Sequence, residues 1–141
     1  MNQFGHKDST FQAAGCERGI RLLVDAFYDH MDNNPAYSVI RNWHPQDLSE
    51  SRDRLAAFLV GWMGGPRLYQ SRYGRISIPG VHAHLPVTHI EMNMWLDCMA
   101  DALREQQTSQ NYTDELVEYL LIKLKKPANM IREYTNVRTT S

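Results

Sequence analysis

The sequence predicts an all-α fold in a single domain, and three observations lead to this. Apolar residues recur at three- and four-residue steps along most of the chain, as on the buried face of a helix. The alternating segment Ile76-Ser77-Ile78 is too short to be a convincing strand. The 141 residues, 43% of them hydrophobic, are enough for one buried core.

Charge and cysteine content exclude several classes of protein. A formal net charge of −1 argues against a nucleic-acid-binding protein, which needs a surplus of basic residues to contact phosphates. The two cysteines, Cys16 and Cys98, do not make a disulfide framework. The sequence shows neither a signal peptide nor an apolar stretch of membrane-spanning length. We therefore expect a cytoplasmic protein with neither nucleic acid nor a membrane as partner.

Two helices are predicted in the first half of the chain, after about ten loosely held polar residues. The apolar face of the first is formed by Ile20, Leu23, Val24, Phe27 and Met31. The segment from Asp32 to Pro35 ends it. The face of the second, which begins near Asp47, is formed by Leu55, Phe58, Leu59 and Trp62. Gly64-Gly65-Pro66 ends this helix, because glycine tolerates left-handed angles and proline cannot continue the ladder.

Two further helices are predicted after a long, mostly irregular segment over residues 67–86, in which we expect at most one or two short turns of helix. Thr88-x-x-Glu91 is a capping box, so the third helix begins at His89. Its inward face is formed by Met94, Trp95, Cys98, Met99 and Ala102. The last helix begins at Thr113 and is expected to end at Pro127, leaving residues 128–141 as a frayed tail. A loop of this length inside a small domain is typical of a functional segment.

Three of the six histidines, His82, His84 and His89, fall within eight positions of this loop and the helix after it. In an extended segment His82 and His84 point the same way, a geometry that zinc could use. Zinc requires three or four ligands, however, and the neighbourhood offers neither a cysteine pair nor an HExxH motif. A haem iron requires one axial histidine and an apolar pocket. Spacing alone does not decide between the two.

Three stretches together resemble one family. They are "FQAAGCERGIRLLVDAFYDHM", "HPQDLSESRDRLAAFLVGWMGGPRLY" and "VHAHLPVTHIEMNMWLDCMADAL". In this order and spacing they resemble the group II truncated haemoglobins, over roughly residues 11 to 103. The resemblance implies a two-over-two helical sandwich around haem b. The family pattern at the iron ligand is His-Ala-x-apolar-Pro, which assigns the iron to His82 and not to His84.

The resemblance also implies the residues on the ligand side of the haem. Tyr28 and Trp95 match the family tyrosine and tryptophan, and the corner before the second helix contributes His44 or, alternatively, Trp43. The second helix would line the haem with Leu55, Phe58, Leu59 and Trp62.

The propionate side of the haem is less well defined by the family pattern. Tyr69 would lie near the propionates. Relatives often place an arginine before the iron ligand, where this chain has Val81. The compensating charge is then expected from Arg67, Arg72 or Arg75, which the sequence does not rank.

The function implied by the resemblance is binding of dioxygen and other diatomic ligands such as NO and CO. Donors aimed at a bound ligand slow its escape, which suits an oxygen transporter poorly. Such donors fit NO dioxygenase, nitrite reductase or peroxidase-like chemistry with peroxide, supported by a reductase. The alternative is a redox or gas sensor in which Tyr28 or His44 occupies the sixth iron position. We expect a monomer or a weak homodimer.

Overall fold

The computed structural model describes residues 4–74 and 85–140, with side chains up to Glu133. Helices account for most of this part of the chain, and none of its residues is in a strand, which confirms the all-α class. The elements are α1 (Ser9–Ala13), α2 (Cys16–Asn33), a 3-10 turn (Pro35–Tyr37), α3 (Ser38–Asn42), α4 (Ser49–Trp62), α5 (Leu68–Tyr73), α6 (His89–Ser109) and α7 (Asp114–Thr140).

The four long helices form two packed pairs, α2 with α4 and α6 with α7, and contact between α2 and α6 joins the pairs. The core lies at this junction. Phe27 and Leu23 of α2 and Leu103 and Met99 of α6 are almost completely buried. These residues come from the apolar faces that the periodicity predicts, or continue them. None of the helices in the described ranges could cross a membrane, given its length and polarity.

The amino-terminal residues that the structure describes are anchored to the domain, unlike the loosely held start that the sequence predicts. Thr10 is buried, and its hydroxyl accepts a hydrogen bond of 2.8 Å from the Gly5 N–H. The Phe11 N–H donates to the Met63 carbonyl at 3.0 Å. A side chain at Gly65 would collide with the Phe11 ring, so this glycine permits the close approach. The prediction missed this contact because it joins segments far apart in sequence.

α6 begins as the sequence predicts. The Thr88 hydroxyl accepts a hydrogen bond of 3.2 Å from the Ile90 N–H, and the Glu91 carboxylate accepts one of 2.8 Å from the Thr88 N–H. These two bonds complete the capping box and fix the first turn of α6. The register of the helix follows, and it places Trp95 and Cys98 on the side that faces α2.

The prediction that the last helix ends at Pro127 is wrong, because α7 continues through this proline to Thr140. Proline removes one ladder hydrogen bond and crowds the preceding turn. The helix continues because Ala128 and Ile131 pack with Val87 and Met92 in an apolar cluster. Tertiary packing therefore outweighs the local preference for a helix end.

α5 is attached to the rest of the domain through Asp53 of α4. The Asp53 carboxylate accepts hydrogen bonds from the Tyr73 hydroxyl, from Arg72 at 2.8 Å and from Arg21 of α2 at 3.0 Å. The Tyr73 hydroxyl and Arg21 hold the pKa of Asp53 below its usual value. This carboxylate thus joins three helices just before the segment over residues 75–84.

We expect Asp53→Asn to lower the free energy of unfolding by about 2 kcal/mol at neutral pH, because it weakens several charge-assisted hydrogen bonds. Folding lowers the pKa of Asp53, so the charged form stabilises the native state above its unfolded pKa. That contribution is lost as the pH falls through the lowered value. The difference between wild type and variant should therefore shrink below about pH 4.

Urea unfolding over a pH series measures this difference. The control is Glu105→Gln, which removes an exposed pair with His30 and should change stability by less than about 0.5 kcal/mol. A difference for Asp53→Asn that is as small as the control, or that does not depend on pH, would contradict this role for Asp53.

Candidate functional site

A cavity of about 390 Å³ lies between α2, α4, α6 and α7. Its wall is mostly apolar, and its polar side chains are few. The lining residues are Tyr28, Ile40, Trp43, His44, Ser51, Arg54, Leu55, Phe58, Leu59, Tyr69, Leu85, Val87, Glu91, Met92, Trp95, Leu124, Pro127, Ala128 and Ile131. An apolar space with a small number of polar groups is typical of a site for a small molecule or cofactor.

Tyr28 and Trp95 reach this cavity from two different helices, on either side of Phe27. The Phe27 ring lies 5.0 Å from the Tyr28 ring and 5.1 Å from the Trp95 ring, measured between centroids. The Cys98 thiol donates to the Phe27 carbonyl at 3.3 Å, which fixes α6 against α2 one turn after Trp95. The separation of the two cavity residues is therefore set by the packing of α2 on α6.

Both residues present a hydrogen-bond donor. Burial raises the pKa of Tyr28, so its hydroxyl stays protonated at neutral pH. The indole N–H of Trp95 can only donate. Neither group forms a hydrogen bond with a residue that the structure describes, although Tyr28 is almost completely buried. Such donors are available to a ligand in the cavity.

His44 takes the corner position that the sequence assigns to it. Its Nδ1 lies 2.8 Å from the Ile40 carbonyl oxygen, and its ring meets the Tyr28 ring edge-on at 5.4 Å. Because a carbonyl only accepts, Nδ1 carries the hydrogen, and Nε2 of the neutral ring is an acceptor. His44 could therefore donate to a ligand through Nε2 only when its ring is protonated. Trp43 also lines the cavity and packs beside the cluster around Val87.

The α4 wall contains three of the four residues expected from the apolar face. Leu55, Phe58 and Leu59 line the cavity, and Trp62 does not. Trp62 lies one turn further along and stacks on Phe58, with 6.5 Å between ring centroids. A helical face predicts which side of α4 is buried, but not how far along the helix the cavity extends.

The polar edge of the cavity is formed by Arg54 and Tyr69. The guanidinium of Arg54 donates to the Tyr69 hydroxyl at 3.2 Å and to Glu50 at 3.1 Å, and it lies 4.2 Å over the Tyr73 ring. Sequence reasoning identified Tyr69 and missed Arg54. The available signal was that Arg54 precedes Leu55 and lies one turn before Phe58, at the border of the apolar face.

The arginines expected to supply a charge at this edge are placed differently. Arg72 pairs with Asp53, and Arg67 is exposed; neither lines the cavity. Arg75 lies outside the described residues. Among the described arginines, Arg54 is therefore the one that the structure brings to the cavity.

The fourth side of the cavity was not anticipated at all. Its residues come from the part of α7 around Pro127, where the sequence predicts a helix end, from the residues directly before α6, and from the first turn of α6. They are Leu85, Val87, Met92, Leu124, Pro127, Ala128 and Ile131. A signal was present, since Ala128 and Ile131 continue the spacing of Leu120 and Leu124.

The expected iron ligand, His82, lies outside the described residues, as does His84. His89 is exposed at the first position of α6. Over residues 4–74 and 85–133, no group of three His, Cys, Asp or Glu side chains could hold a metal ion.

The described residues fit haem in three respects. The apolar wall suits a macrocycle, since burial of apolar surface supplies most of its binding energy. Arg54 and Tyr69 offer donors to carboxylates at one edge. Tyr28 and Trp95 present hydrogen-bond donors inside the same cavity. Haem requires one protein ligand to its iron, and residues 75–84 join two elements that border the cavity.

Comparison with known proteins agrees with this geometry. The family described as bacterial-like globin matches residues 9–128. A group 2 truncated hemoglobin of Bacillus subtilis (strain 168) is 32% identical over 96 residues, which cover 68% of this chain and 70% of that protein.

Two solved structures share the fold. The group II 2-on-2 hemoglobin of Agrobacterium tumefaciens has a TM-score of 0.78 and 27% identity, covering 87% of this chain and 92% of its own. The truncated oxygen-avid haemoglobin of Bacillus subtilis has a TM-score of 0.73 and 30% identity, covering 86% and 97%. This chain belongs to the bacterial-like globin family and, within it, to the group II truncated haemoglobins.

Proposed function

We propose that this globin holds haem b through His82 and binds dioxygen, CO and NO in the cavity between α2, α4, α6 and α7. The observation that carries the proposal is the pair of donors in a mostly apolar cavity of a globin, the buried Tyr28 and the half-buried Trp95. When bound, haem supplies the iron to which diatomic ligands attach. A reductase is the expected partner that keeps the iron ferrous.

Chain length and family pattern together support His82 as the iron ligand. Three peptide units separate His82 from Leu85, and an extended chain of that length spans about 11 Å at most. Leu85 lines the cavity, so His82 is within reach of it. His84 is nearer still, and the His-Ala-x-apolar-Pro pattern favours His82 between the two. The second ring nitrogen of the ligand would donate to a carbonyl or carboxylate, which fixes its tautomer.

Two donors favour slow release of dioxygen. Each hydrogen bond to a ligand in a dry cavity contributes about 1 kcal/mol, and about 1.4 kcal/mol corresponds to a tenfold change in rate. The protonated phenol of Tyr28 acts here as a donor to the ligand, which favours ligand binding over a sensor with an internal sixth iron ligand. The similar Bacillus subtilis protein is described as oxygen-avid, which agrees with this arrangement.

The same donors suit the chemistry of reactive oxygen and nitrogen species. A hydroxyl and an indole N–H in a mostly apolar cavity polarise peroxide, nitrite or nitrogen oxides as they polarise dioxygen. We therefore place NO or peroxide detoxification second to ligand binding, with Tyr28 and Trp95 as the groups that orient the ligand.

The carboxylates of the haem would lie at the edge formed by Arg54 and Tyr69. A guanidinium binds a carboxylate through two parallel hydrogen bonds, and a phenol hydroxyl can add a third. The stacking of Arg54 over Tyr73 and its bond to Tyr69 keep it at the cavity mouth.

Replacing His82 by alanine tests the proposed iron ligand. We expect His82→Ala to lose the Soret band, or to lose haem on a desalting column, because no other histidine replaces the missing bond. His84→Ala is the matched control and should keep both the band and the haem. Absorbance spectra and iron content measure the outcome. If the haem spectrum persists in His82→Ala and is lost in His84→Ala, the assignment of the iron to His82 is contradicted.

Replacing Trp95 by phenylalanine tests its role as a donor. The change keeps an aromatic ring beside Phe27 and removes the N–H, so we expect dioxygen to dissociate about tenfold faster. Stopped-flow mixing of the oxygenated protein with dithionite and CO measures the rate. Trp62→Phe is the control, because Trp62 does not line the cavity, and its rate should stay at the wild-type value. Equal rates in wild type and Trp95→Phe would remove Trp95 from this role.

Replacing Arg54 by glutamine tests the carboxylate edge. We expect haem to leave the protein about three- to tenfold faster, since one charge-assisted contact with a carboxylate is lost at a partly exposed site. Transfer of haem to an excess of apomyoglobin measures this rate. Arg67→Gln removes an exposed arginine away from the cavity and should leave the rate unchanged. Faster loss in Arg67→Gln alone would place the carboxylates elsewhere.

A further inference from the structure

Tyr73 supports Arg54 from outside the cavity. The guanidinium carbon of Arg54 lies 4.2 Å from the centre of the Tyr73 ring, within the range of a cation–π contact. Arg54 lines the cavity, and Tyr73 is not among the described residues that do. The Arg54 side chain is 45% exposed, so without such a support it would adopt many rotamers at the mouth. Tyr73 therefore acts on the proposed site through a charged residue that lines it.

The Tyr73 ring is itself fixed from two sides. Its hydroxyl donates to the Asp53 carboxylate, and this hydrogen bond raises the pKa of Tyr73, so the hydroxyl remains the donor at neutral pH. Asp53 is held in turn by Arg21 of α2 at 3.0 Å and by Arg72 at 2.8 Å. The ring also packs against Tyr69, with 5.1 Å between the centroids. Contacts with α2 and α4 thus set the position of the ring, and the short helix α5 does not set it alone.

Contact through the ring face leaves the N–H groups of Arg54 to oxygen acceptors. A guanidinium carries five such groups in one plane, and a cation–π contact uses none of them. Nη1 donates to the Tyr69 hydroxyl at 3.2 Å, and Nη2 donates to Glu50 at 3.1 Å. The Glu50 side chain is 68% exposed, so this pair alone would let the arginine follow it into solvent. The Tyr73 ring opposes that movement and keeps the guanidinium where it can also bind a carboxylate of a ligand.

We propose that Tyr73, oriented by Asp53, is the positioning residue that holds Arg54 at the cavity mouth, so that the site selects a macrocycle with free carboxylates. A porphyrin without them can fill the apolar wall equally well but cannot pair with Arg54. The selection is then set by a residue that does not line the cavity. The inference rests on the proposed function, because it concerns the orientation of the same bound haem.

The experiment compares hemin with its dimethyl ester, which has the same ring and no free carboxylate. Transfer of each pigment from the reconstituted protein to an excess of apomyoglobin gives its rate of release. In wild type we expect hemin to leave about three- to tenfold more slowly than the ester, the factor expected for the contact with Arg54. Arg54→Gln should remove most of this difference by raising the hemin rate, with the ester rate unchanged.

Tyr73→Leu tests the positioning role. It removes the ring under the cation, so we expect hemin to leave about two- to fivefold faster and the ester to leave at its wild-type rate. A change that merely loosens the fold would raise both rates by the same factor. That result would overturn the proposal, as would an unchanged hemin rate.

The double variant Arg54→Gln/Tyr73→Leu tests whether Tyr73 acts through Arg54. We expect its hemin rate to equal that of Arg54→Gln, because the contact that Tyr73 supports is already lost. A hemin rate raised by the full factors of both single variants would show independent roles and would overturn the positioning.

Tyr73→Phe keeps the ring and removes the hydroxyl that Asp53 holds. We expect a hemin rate between those of wild type and Tyr73→Leu, with the ester rate unchanged. A wild-type hemin rate in this variant would overturn the orientation by Asp53. Because the aromatic ring is retained, this variant tests the proposal even if Tyr73→Leu folds poorly.

The matched control is Tyr119→Leu. Tyr119 of α7 also lies under a cation, with the Lys123 ammonium 5.8 Å from the ring centre, and it is not among the described residues of the cavity. Both release rates should stay at their wild-type values. A rise in the hemin rate alone, as large as in Tyr73→Leu, would show that the selection does not depend on the contact with Arg54, and would overturn the proposal.

The two proposals fail in different ways. A protein that takes up no hemin and shows no Soret band refutes the proposed function and the positioning role together. A normal Soret band and slower release of hemin than of the ester, with both rates unchanged in Tyr73→Leu, refutes the positioning role alone.

Discussion

The structure depends on one constraint: four helices pack around an apolar space that the described side chains do not fill. Phe27, between α2 and α6, sets the separation of the helices on one side of this space. Interiors of proteins are close-packed, and an unfilled apolar volume loses dispersion contacts along its whole lining. A flat apolar cofactor restores those contacts. If haem is bound as proposed, haem binding would also stabilise the fold, because the group that fills the cavity contacts the helices around it.

The polar groups of the site follow from the same packing. The contact of Cys98 with the Phe27 carbonyl sets Trp95 on one side of Phe27, and the register of α2 sets Tyr28 on the other. Arg54 of α4 lines the same cavity and is exposed, so it lies at the cavity mouth. The cavity therefore has hydrogen-bond donors inside and a cation at its mouth. A macrocycle with carboxylates at one edge would fit it with that edge at the mouth.

Local sequence patterns predicted most of the fold and part of the site. The spacing of Phe27 with its neighbours and the capping box at Thr88 predicted α2 and the start of α6, because amphipathic spacing and caps are local properties. α7 past Pro127 and the cavity residue Ala128 could not be predicted by the same rules, since distant packing partners sustain that part of the helix.

The residues of the site divide in the same way. Family resemblance supplied Tyr28, Trp95 and His44, which the structure brings to one cavity. It did not supply Arg54, because a charged residue beside an apolar face is usually assigned to solvent.

Titration of the haem-free protein with hemin, followed by absorbance and thermal unfolding, tests the central claim most directly. We expect saturation at one equivalent together with a higher unfolding temperature. An absorbance change without a break at one equivalent, and an unfolding temperature that does not move, would contradict a cavity completed by haem.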